Sequence, residues 1–181
     1  MKKVLGIIVT ILAVFMLVGC SCSLDDKKPE AAVDTFFEKY RKKDDSVMTQ
    51  LKETIESLTL DEDYKTKYQE LMEKQYNQMA YVIKDIEENE NTATANVEIT
   101  VLDYKTAIQE SEKYLENNPD KFKDELGNYS ENLFTKYKID QMNLVDSTTT
   151  YTITLDLTKE NGMWTVNKLT NDDISKIHGM Y

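Results

Sequence analysis

The segment Ala93-Thr94-Ala95-Asn96-Val97-Glu98-Ile99-Thr100-Val101 decides the fold class of this chain, because its small or apolar residues alternate with polar ones. Successive side chains of a strand point to opposite faces of a sheet, so this alternation predicts a strand with one buried and one solvated face. The residues expected to pack against helices are Ala95, Val97, Ile99 and Val101. The residues expected on the opposite face are Asn96, Glu98 and Thr100.

The sequence predicts further strands on both sides of this one. Residues 80–86 are apolar enough to pair with it across a polar turn at residues 87–91. A second hairpin is expected downstream, because Glu160-Asn161-Gly162 supplies residues that adopt the positive φ of a tight turn. Its first strand has an apolar face made of Tyr151, Ile153, Leu155 and Leu157.

Trp164, the only tryptophan, should lie in the returning strand of that hairpin, on the same face as Val166. We expect the indole between sheet and helices, with its N–H bonded to a nearby acceptor. The alternative interpretation places Trp164 at the mouth of a ligand pocket, partly exposed.

Helical spacing of apolar residues predicts three helices before the first hairpin. The first covers residues 30–43. The second contains Val47 and Leu58 and is capped by Asp45 or Ser46. The third starts near Asp61 and contains Tyr64 and Met79.

Further helices are expected around the second hairpin. One covers residues 104–116 and ends at Asn117-Asn118-Pro119. Another runs through Phe122 and Tyr137, where Gly127-Asn128 either weakens it or divides it in two. A short final helix carries His178 and is capped by Asp172 or Asp173.

These elements predict an α+β fold, with an antiparallel sheet of two hairpins, about four strands, packed on N-terminal and central helices. Residues 30–181 form one domain, long enough to bury a core without disulfides. The chain has 22 basic and 33 acidic residues and a net charge of −11. Such a charge argues against nucleic acid as a partner, since binding nucleic acid requires basic patches.

The N-terminus predicts the location of the protein. Lys2-Lys3 precedes an apolar run that ends in Leu17-Val18-Gly19-Cys20. This ending resembles the lipobox of bacterial lipoproteins, in which the cysteine sulfur receives a diacylglyceryl group carrying palmitate-type chains and a peptidase cuts before it. The resemblance implies a signal peptide at residues 1–19, lipidation at Cys20 and a tether at residues 20–29. The protein would then be anchored at the extracytoplasmic face of the cell membrane.

Two alternatives accompany the lipobox prediction. The apolar run could remain as an uncleaved transmembrane helix, although it is near the lower length limit for spanning a bilayer. Cys22 is a second candidate acceptor, but Gly19-Cys20-Ser21 before it lacks the apolar residue that the peptidase pattern needs. Cys22 would otherwise be an inert tether residue or the link of a disulfide-bonded dimer.

The domain itself resembles the nuclear-transport-factor-like (cystatin-like) superfamily. The resemblance rests on Ala32-Val33-Asp34-Thr35-Phe36-Phe37 in the first helix and on the strand Asn161-Gly162-Met163-Trp164-Thr165-Val166. It implies helices packed on an antiparallel sheet. Small bacterial lipoproteins of unknown function often have this fold. Enzymes of that superfamily often place an Asp–His pair inside the cone of the sheet. This chain departs from the pattern by its extra helices between the hairpins.

No residue pattern in the domain predicts catalysis or a bound metal or cofactor. His178, the sole histidine, lies near the end of the sequence, where a frayed segment would make it a poor base. The paired carboxylates are expected to be helix caps or solvated residues; they are Asp44-Asp45, Asp61-Glu62-Asp63 and Asp172-Asp173. The eleven tyrosines are expected at core edges, or alternatively on a surface that binds glycans.

The leading functional prediction is therefore a non-catalytic, lipid-anchored binding or interaction module at the cell envelope, with an envelope protein as the expected partner. One alternative is a carrier of a small apolar ligand held in a pocket between sheet and helices. A less favoured alternative is an enzyme of the nuclear-transport-factor-like superfamily. An exposed apolar patch beside a filled core favours the module. A lined pocket favours the carrier, and a buried ionisable pair favours the enzyme.

Overall fold

Four antiparallel strands form one open sheet in the order β1-β2-β3-β4. The strands are β1 (Ala80–Asn89), β2 (Thr92–Leu102), β3 (Thr148–Glu160) and β4 (Met163–Val166). The computed structural model describes residues 28–181, so the expected signal peptide, Cys20 and Cys22 lie outside the described residues. The helices are α1 (Pro29–Arg41), α2 (Asp45–Glu56), α3 (Glu62–Gln78), α4 (Tyr104–Asn117), α5 (Glu131–Asn143) and α6 (Asn171–Ile177). The predicted α+β class, with an antiparallel sheet of four strands, is confirmed.

Strand β2 lies at the centre of the sheet, and its register fixes which residues are buried. Val97 pairs with Ile83 of β1 and with Ile153 of β3. The face predicted to be buried is confirmed, because Ala95, Val97, Ile99 and Val101 have no solvent exposure. Burying a valine or isoleucine side chain stabilises the folded state by about 1.5–3 kcal/mol.

The two ends of the sheet are shaped by local backbone geometry. The hairpin between β3 and β4 turns at Asn161 (φ 53°) and Gly162 (φ 82°), which confirms the predicted positive-φ turn. At the other edge, the register of β1 shifts between Ile83 and Asp85, so Lys84 is an extra residue in that strand.

The helix ends show where sequence reasoning misplaced the caps. Asp61 caps α3 as predicted, accepting from the backbone N–H of Tyr64 at 3.1 Å. The predicted caps of α2 were wrong: Asp44 accepts from the Ser46 N–H at 3.0 Å. The predicted caps of α6 were also wrong, since the Thr170 hydroxyl oxygen accepts from the Asp173 N–H at 3.1 Å. In both helices the cap lies before the predicted residues, which themselves belong to the first turn.

The predicted helix through Phe122 and Tyr137 is divided in two. Phe122 ends a short 3₁₀ turn (Pro119–Phe122), and α5 begins nine residues later at Glu131. Between them Gly127 has φ 82°, which ordinary residues adopt at a cost. The intervening segment, residues 123–130, is held by a β-bridge between Lys123 and Tyr129.

Two buried clusters fill the interior. The sheet core joins α1 to the inner face of the sheet; its largest buried residues are Phe37, Ile99, Ile153, Leu155, Leu157 and Trp164. The helical core lies among α2, α3, α4 and α5; its largest buried residues are Leu71, Met72, Leu102, Tyr104, Ile139 and Met142. Over residues 28–181, no helix is both long enough and apolar enough to cross a membrane.

Candidate functional site

A small cleft opens where α1, α2 and α3 meet the segment that follows α6. It is lined by Tyr40, Val47, Gln50, Leu51, Thr54, Tyr68, Met72, Tyr76 and His178, and we call it the tyrosine cleft. The space that the centre of a water molecule can occupy is about 20 Å³. One water molecule needs about 10–15 Å³ of such space, so the cleft can hold a water molecule or a group of similar size.

The tyrosines reach the cleft because of their helical spacing. Tyr68, Met72 and Tyr76 recur every four residues on α3 and therefore share one face. The ring of Tyr40 on α1 packs edge-on against Tyr76, with centroids 5.3 Å apart. Burial raises the pKa of Tyr40 and of Tyr68 to about 12, and it also raises the pKa of Tyr76 well above its usual value. All three phenols are therefore neutral at pH 7.

His178 completes the cleft, and the prediction that it lies in a frayed segment was wrong. It is only 8% exposed, and its Nε2 lies 3.2 Å from the hydroxyl of Tyr76. Burial lowers the pKa of His178 to about 4, because the charged imidazolium is poorly solvated there. The imidazole is consequently neutral at physiological pH.

The segment after α6 is held in place by contacts with α3 and with the β2–α4 junction. The backbone N–H of Lys105 donates to the carbonyl of Gly179 at 2.8 Å. Gly179 has φ 70°, and a Cβ built there would lie 2.0 Å from the carbonyl oxygen of Leu102. Only glycine permits so close an approach, and this fixes the position of the neighbouring His178.

Gln75 secures the same junction from α3. It is fully buried and bonds to Leu102 twice: Oε1 accepts from the backbone N–H at 2.8 Å, and Nε2 donates to the carbonyl at 3.2 Å. Sequence reasoning did not identify Gln75, because nothing in its local pattern separates a clamped glutamine from an ordinary helical one. Gln50 and Thr54 of the cleft were missed for the same reason.

The chemistry available in the cleft is neutral hydrogen bonding. The pKa of His178 is changed by burial alone, without a nearby charged group. The Asp–His pair that the superfamily resemblance implies is therefore not assembled around His178. Within residues 28–181, no group of three or more His, Cys, Asp or Glu could hold a metal ion.

The paired carboxylates cap helices or form ion pairs. Asp44 and Asp61 cap α2 and α3, as described above, and Asp61 also pairs with Lys136 of α5. Asp173 accepts from the Thr170 hydroxyl at 2.5 Å in the first turn of α6. The predicted capping role is confirmed for Asp44 and Asp61, whereas Asp173 supports the cap Thr170 and is largely buried.

Trp164 lies outside the cleft, buried in the sheet core at 2% exposure. Its predicted burial is confirmed. Its predicted hydrogen bond was wrong, since Nε1 has no partner among the described residues. The Lys159 ammonium lies 5.2 Å from the centroid of the indole, a cation–π contact on the ring face that leaves the N–H unpaired.

A second feature is a set of exposed apolar side chains on the segment between the 3₁₀ turn and α5 and on the first turn of α5. Leu126 is 86% exposed, Tyr129 43% and Leu133 39%. The segment is ordered by Asp124, whose carboxylate accepts from the N–H groups of Leu126 and Asn128 at 2.9 and 2.8 Å. We call residues 123–133 the apolar loop.

Comparison with protein-family models, with curated proteins and with solved structures finds no match for this chain.

Proposed function

We propose that this protein is a lipid-anchored lipoprotein of the extracytoplasmic membrane face, where it serves as a non-catalytic module that binds an envelope protein. The apolar loop is the observation that carries the proposal. A leucine that is 86% exposed at the tip of an ordered turn remains in water unless a partner covers it. Two further exposed apolar side chains, Tyr129 and Leu133, lie within seven residues of it along the chain.

The filled interior supports a module over a carrier of apolar ligands. Both cores are packed with buried side chains, and the cleft between helices has room for about one water molecule. Apolar ligands of drug-like size need cavities of about 300–1,000 Å³. Trp164, which the carrier hypothesis places at a pocket mouth, instead packs in the sheet core.

The surroundings of the apolar loop favour a protein partner over the membrane itself. Helix α1 follows the expected tether directly, starts at Pro29 and packs on the sheet core. The apolar loop is supported by other elements, since Phe122 of the 3₁₀ turn packs edge-on against Phe134 of α5. The carboxylates of Asp124 and Glu125 next to Leu126 also disfavour insertion among anionic lipids.

We also propose that the fold is a cystatin-like relative within the nuclear-transport-factor-like superfamily. The support is the order of elements: N-terminal helices, an antiparallel hairpin, further helices and a second hairpin. The packing of α1 across the sheet and the edge strand containing Trp164 agree with the same pattern.

Lipidation is tested by mass spectrometry of the membrane fraction. We expect a lipidated N-terminal peptide that begins at Cys20, and we expect Cys20→Ala to abolish both the lipid and the cleavage. Lipidation of the Cys20→Ala variant at Cys22 would contradict the assignment, and so would an intact N-terminus in the wild-type chain.

The binding function is tested separately by photo-crosslinking in cells that produce the protein. A photoreactive residue at position 126 should give a discrete adduct with one envelope protein. The matched control carries the same residue at position 88, which is exposed in β1 and distant in sequence from the loop. Equal adducts from both positions, or none from position 126, would refute the apolar loop as the binding surface.

A further inference from the structure

The tyrosine cleft carries a second, independent binding inference, which begins with its electrostatics. Burial keeps the phenols of Tyr40, Tyr68 and Tyr76 and the imidazole of His178 uncharged at pH 7. No carboxylate or ammonium contributes to the pKa shift of any of the four groups. An ion entering this cleft would lose its hydration without meeting an opposite charge, which costs several kcal/mol. The cleft therefore selects against charged ligands.

Several polar groups of the cleft lack partners in the protein. The hydroxyls of Tyr40 and Tyr68 and the side-chain amide of Gln50 make no hydrogen bond to another described residue. They are not sealed in the core, because within residues 28–181 the only fully buried side-chain nitrogen or oxygen without a partner is Nε1 of Trp164. All three residues line the cleft, so these groups are available to bond to a molecule inside it.

The kind of partner follows from the chemistry of those groups. A phenol hydroxyl both donates and accepts hydrogen bonds, and a glutamine amide does the same through its nitrogen and oxygen. An alcohol hydroxyl also donates and accepts hydrogen bonds, so it can bond to the phenols and to the glutamine amide at the same time. A purely apolar ligand would leave the polar groups unpaired, at about 1–3 kcal/mol for each group.

The dimensions limit how much of a ligand can enter. The inner space is about 20 Å³, which suits one hydroxyl or hydroxymethyl group. Tyr40 on α1 and Gln50 and Thr54 on α2 are half-buried, whereas Tyr68, Tyr76 and His178 are buried. The mouth of the cleft therefore lies between α1 and α2, and the remainder of a larger ligand would rest there.

We propose that the tyrosine cleft binds an uncharged polyol or sugar by taking one of its hydroxyl-bearing arms between Tyr40, Tyr68 and His178. Gln50 at the mouth bonds to a neighbouring hydroxyl of the same ligand. This site is separate from the apolar loop, so each can be tested without the other.

The single histidine makes the test direct, since its imidazole gives one set of NMR signals that report on the cleft. The full-length chain is purified in a sugar-free zwitterionic detergent and titrated with glycerol and with glucose. We expect a saturable shift of the His178 signals with at least one of them. Acetate and tetramethylammonium, the charged controls, should produce no saturable shift.

Two variants tie the shift to the proposed contacts. Tyr68→Phe and Gln50→Leu each remove one polar group and keep most of the side-chain volume, so each should weaken the apparent affinity by about tenfold. Tyr129→Phe, which removes a hydroxyl from the apolar loop, should leave the affinity unchanged. A shift that is linear in concentration, or that is the same in Tyr68→Phe and Gln50→Leu as in the wild type, would overturn the proposal and leave a cleft that holds only water.

A second measurement uses unfolding in place of the His178 signals. A ligand that binds only the folded state raises the midpoint of thermal unfolding. The probe that shifts the His178 signals should therefore raise the wild-type midpoint more than it raises that of Gln50→Leu, whose altered side chain is only half-buried on α2. Equal increases for the two proteins would show a general cosolvent effect and would refute the site.

Discussion

The hydroxyl of Tyr76 lies 3.2 Å from Nε2 of His178, although 102 positions separate the two residues in the sequence. The pair joins α3 to the segment after α6 at the base of the tyrosine cleft. Both groups are buried and uncharged at pH 7, so the contact is a hydrogen bond between neutral partners. Its stability therefore depends on the protonation of the imidazole.

The free energy of unfolding should fall as the solution is acidified from pH 6.5 to pH 4. The pKa of His178 is about 4 in the folded protein and 6.5 in the unfolded chain, so the unfolded state binds the proton first. The stabilisation from the neutral imidazole is full above pH 6.5 and is lost as the pH approaches 4. Protonation of His178 should lower the free energy of unfolding by about 3 kcal/mol. Denaturant unfolding at pH 7 and pH 4.5 measures it.

Two variants separate this effect from the titration of carboxylates. His178→Phe should flatten the pH dependence between 6.5 and 4, because it removes the titrating group. Tyr76→Phe should keep most of the dependence while lowering stability at every pH, since the buried imidazole remains. Identical slopes for the wild type and His178→Phe would contradict the assignment.

The register of β2 predicts a large difference between two adjacent substitutions. Val97→Asp should cost several kcal/mol, because the carboxylate must be desolvated or protonated in the sheet core. Glu98→Lys should cost less than about 1 kcal/mol, since it loses only the exposed ion pair with Lys84. Denaturation midpoints of the two variants provide the measurement, and equal midpoints would show that the register is wrong.

Trp164 should behave as a core residue. Trp164→Ala is expected to cost about 3–5 kcal/mol, because it removes a large buried apolar side chain. Trp164→Phe should cost considerably less, since Nε1 has no hydrogen bond to lose. The wild-type fluorescence should be blue-shifted and resistant to iodide quenching. Red-shifted, readily quenched emission would place the indole at the surface and contradict the packing.

Gly179 and Gly127 form a matched pair for testing the close approach at the β2–α4 junction. Both have positive φ, but a Cβ at Gly127 meets nothing within 4 Å, whereas one at Gly179 meets backbone at 2.0 Å. Gly127→Ala should therefore cost about 1 kcal/mol from the backbone conformation alone. Gly179→Ala should cost several kcal/mol more and should displace His178. Similar unfolding midpoints for the two variants would refute the tight packing.

Local patterns were enough to predict the sheet. The alternation through Val97 and the turn at Asn161-Gly162 depend on residues close together in sequence, and both features are confirmed. The start of α3 at Asp61 was predicted for the same reason. Cap positions were less certain, because Thr170 and Asp172 are both chemically able to cap, and only the backbone path selects between them.

The tyrosine cleft could not be predicted in this way. The helical spacing of Tyr68 and Tyr76 correctly indicated a shared face, but it did not indicate what that face contacts. The proximity of His178 depends on Gly179 and Gln75, which hold a segment that is remote in sequence. The unpaired N–H of Trp164 was equally unpredictable, because the rule that buried donors find acceptors describes most donors and not each one.

The extra residue in β1 has a consequence under the proposed lipid anchoring, which would gather many copies of the protein on one surface. A regular edge strand offers a row of free N–H and C=O groups to which another chain can add. In β1 this row is interrupted where Lys84 is inserted, and the ammonium of the same residue forms an ion pair with Glu98 of β2 at the edge. Molecules confined to a membrane meet each other far more often than molecules in dilute solution. A broken, charged edge would therefore keep crowded copies separate, so that the domain remains free to contact a different partner.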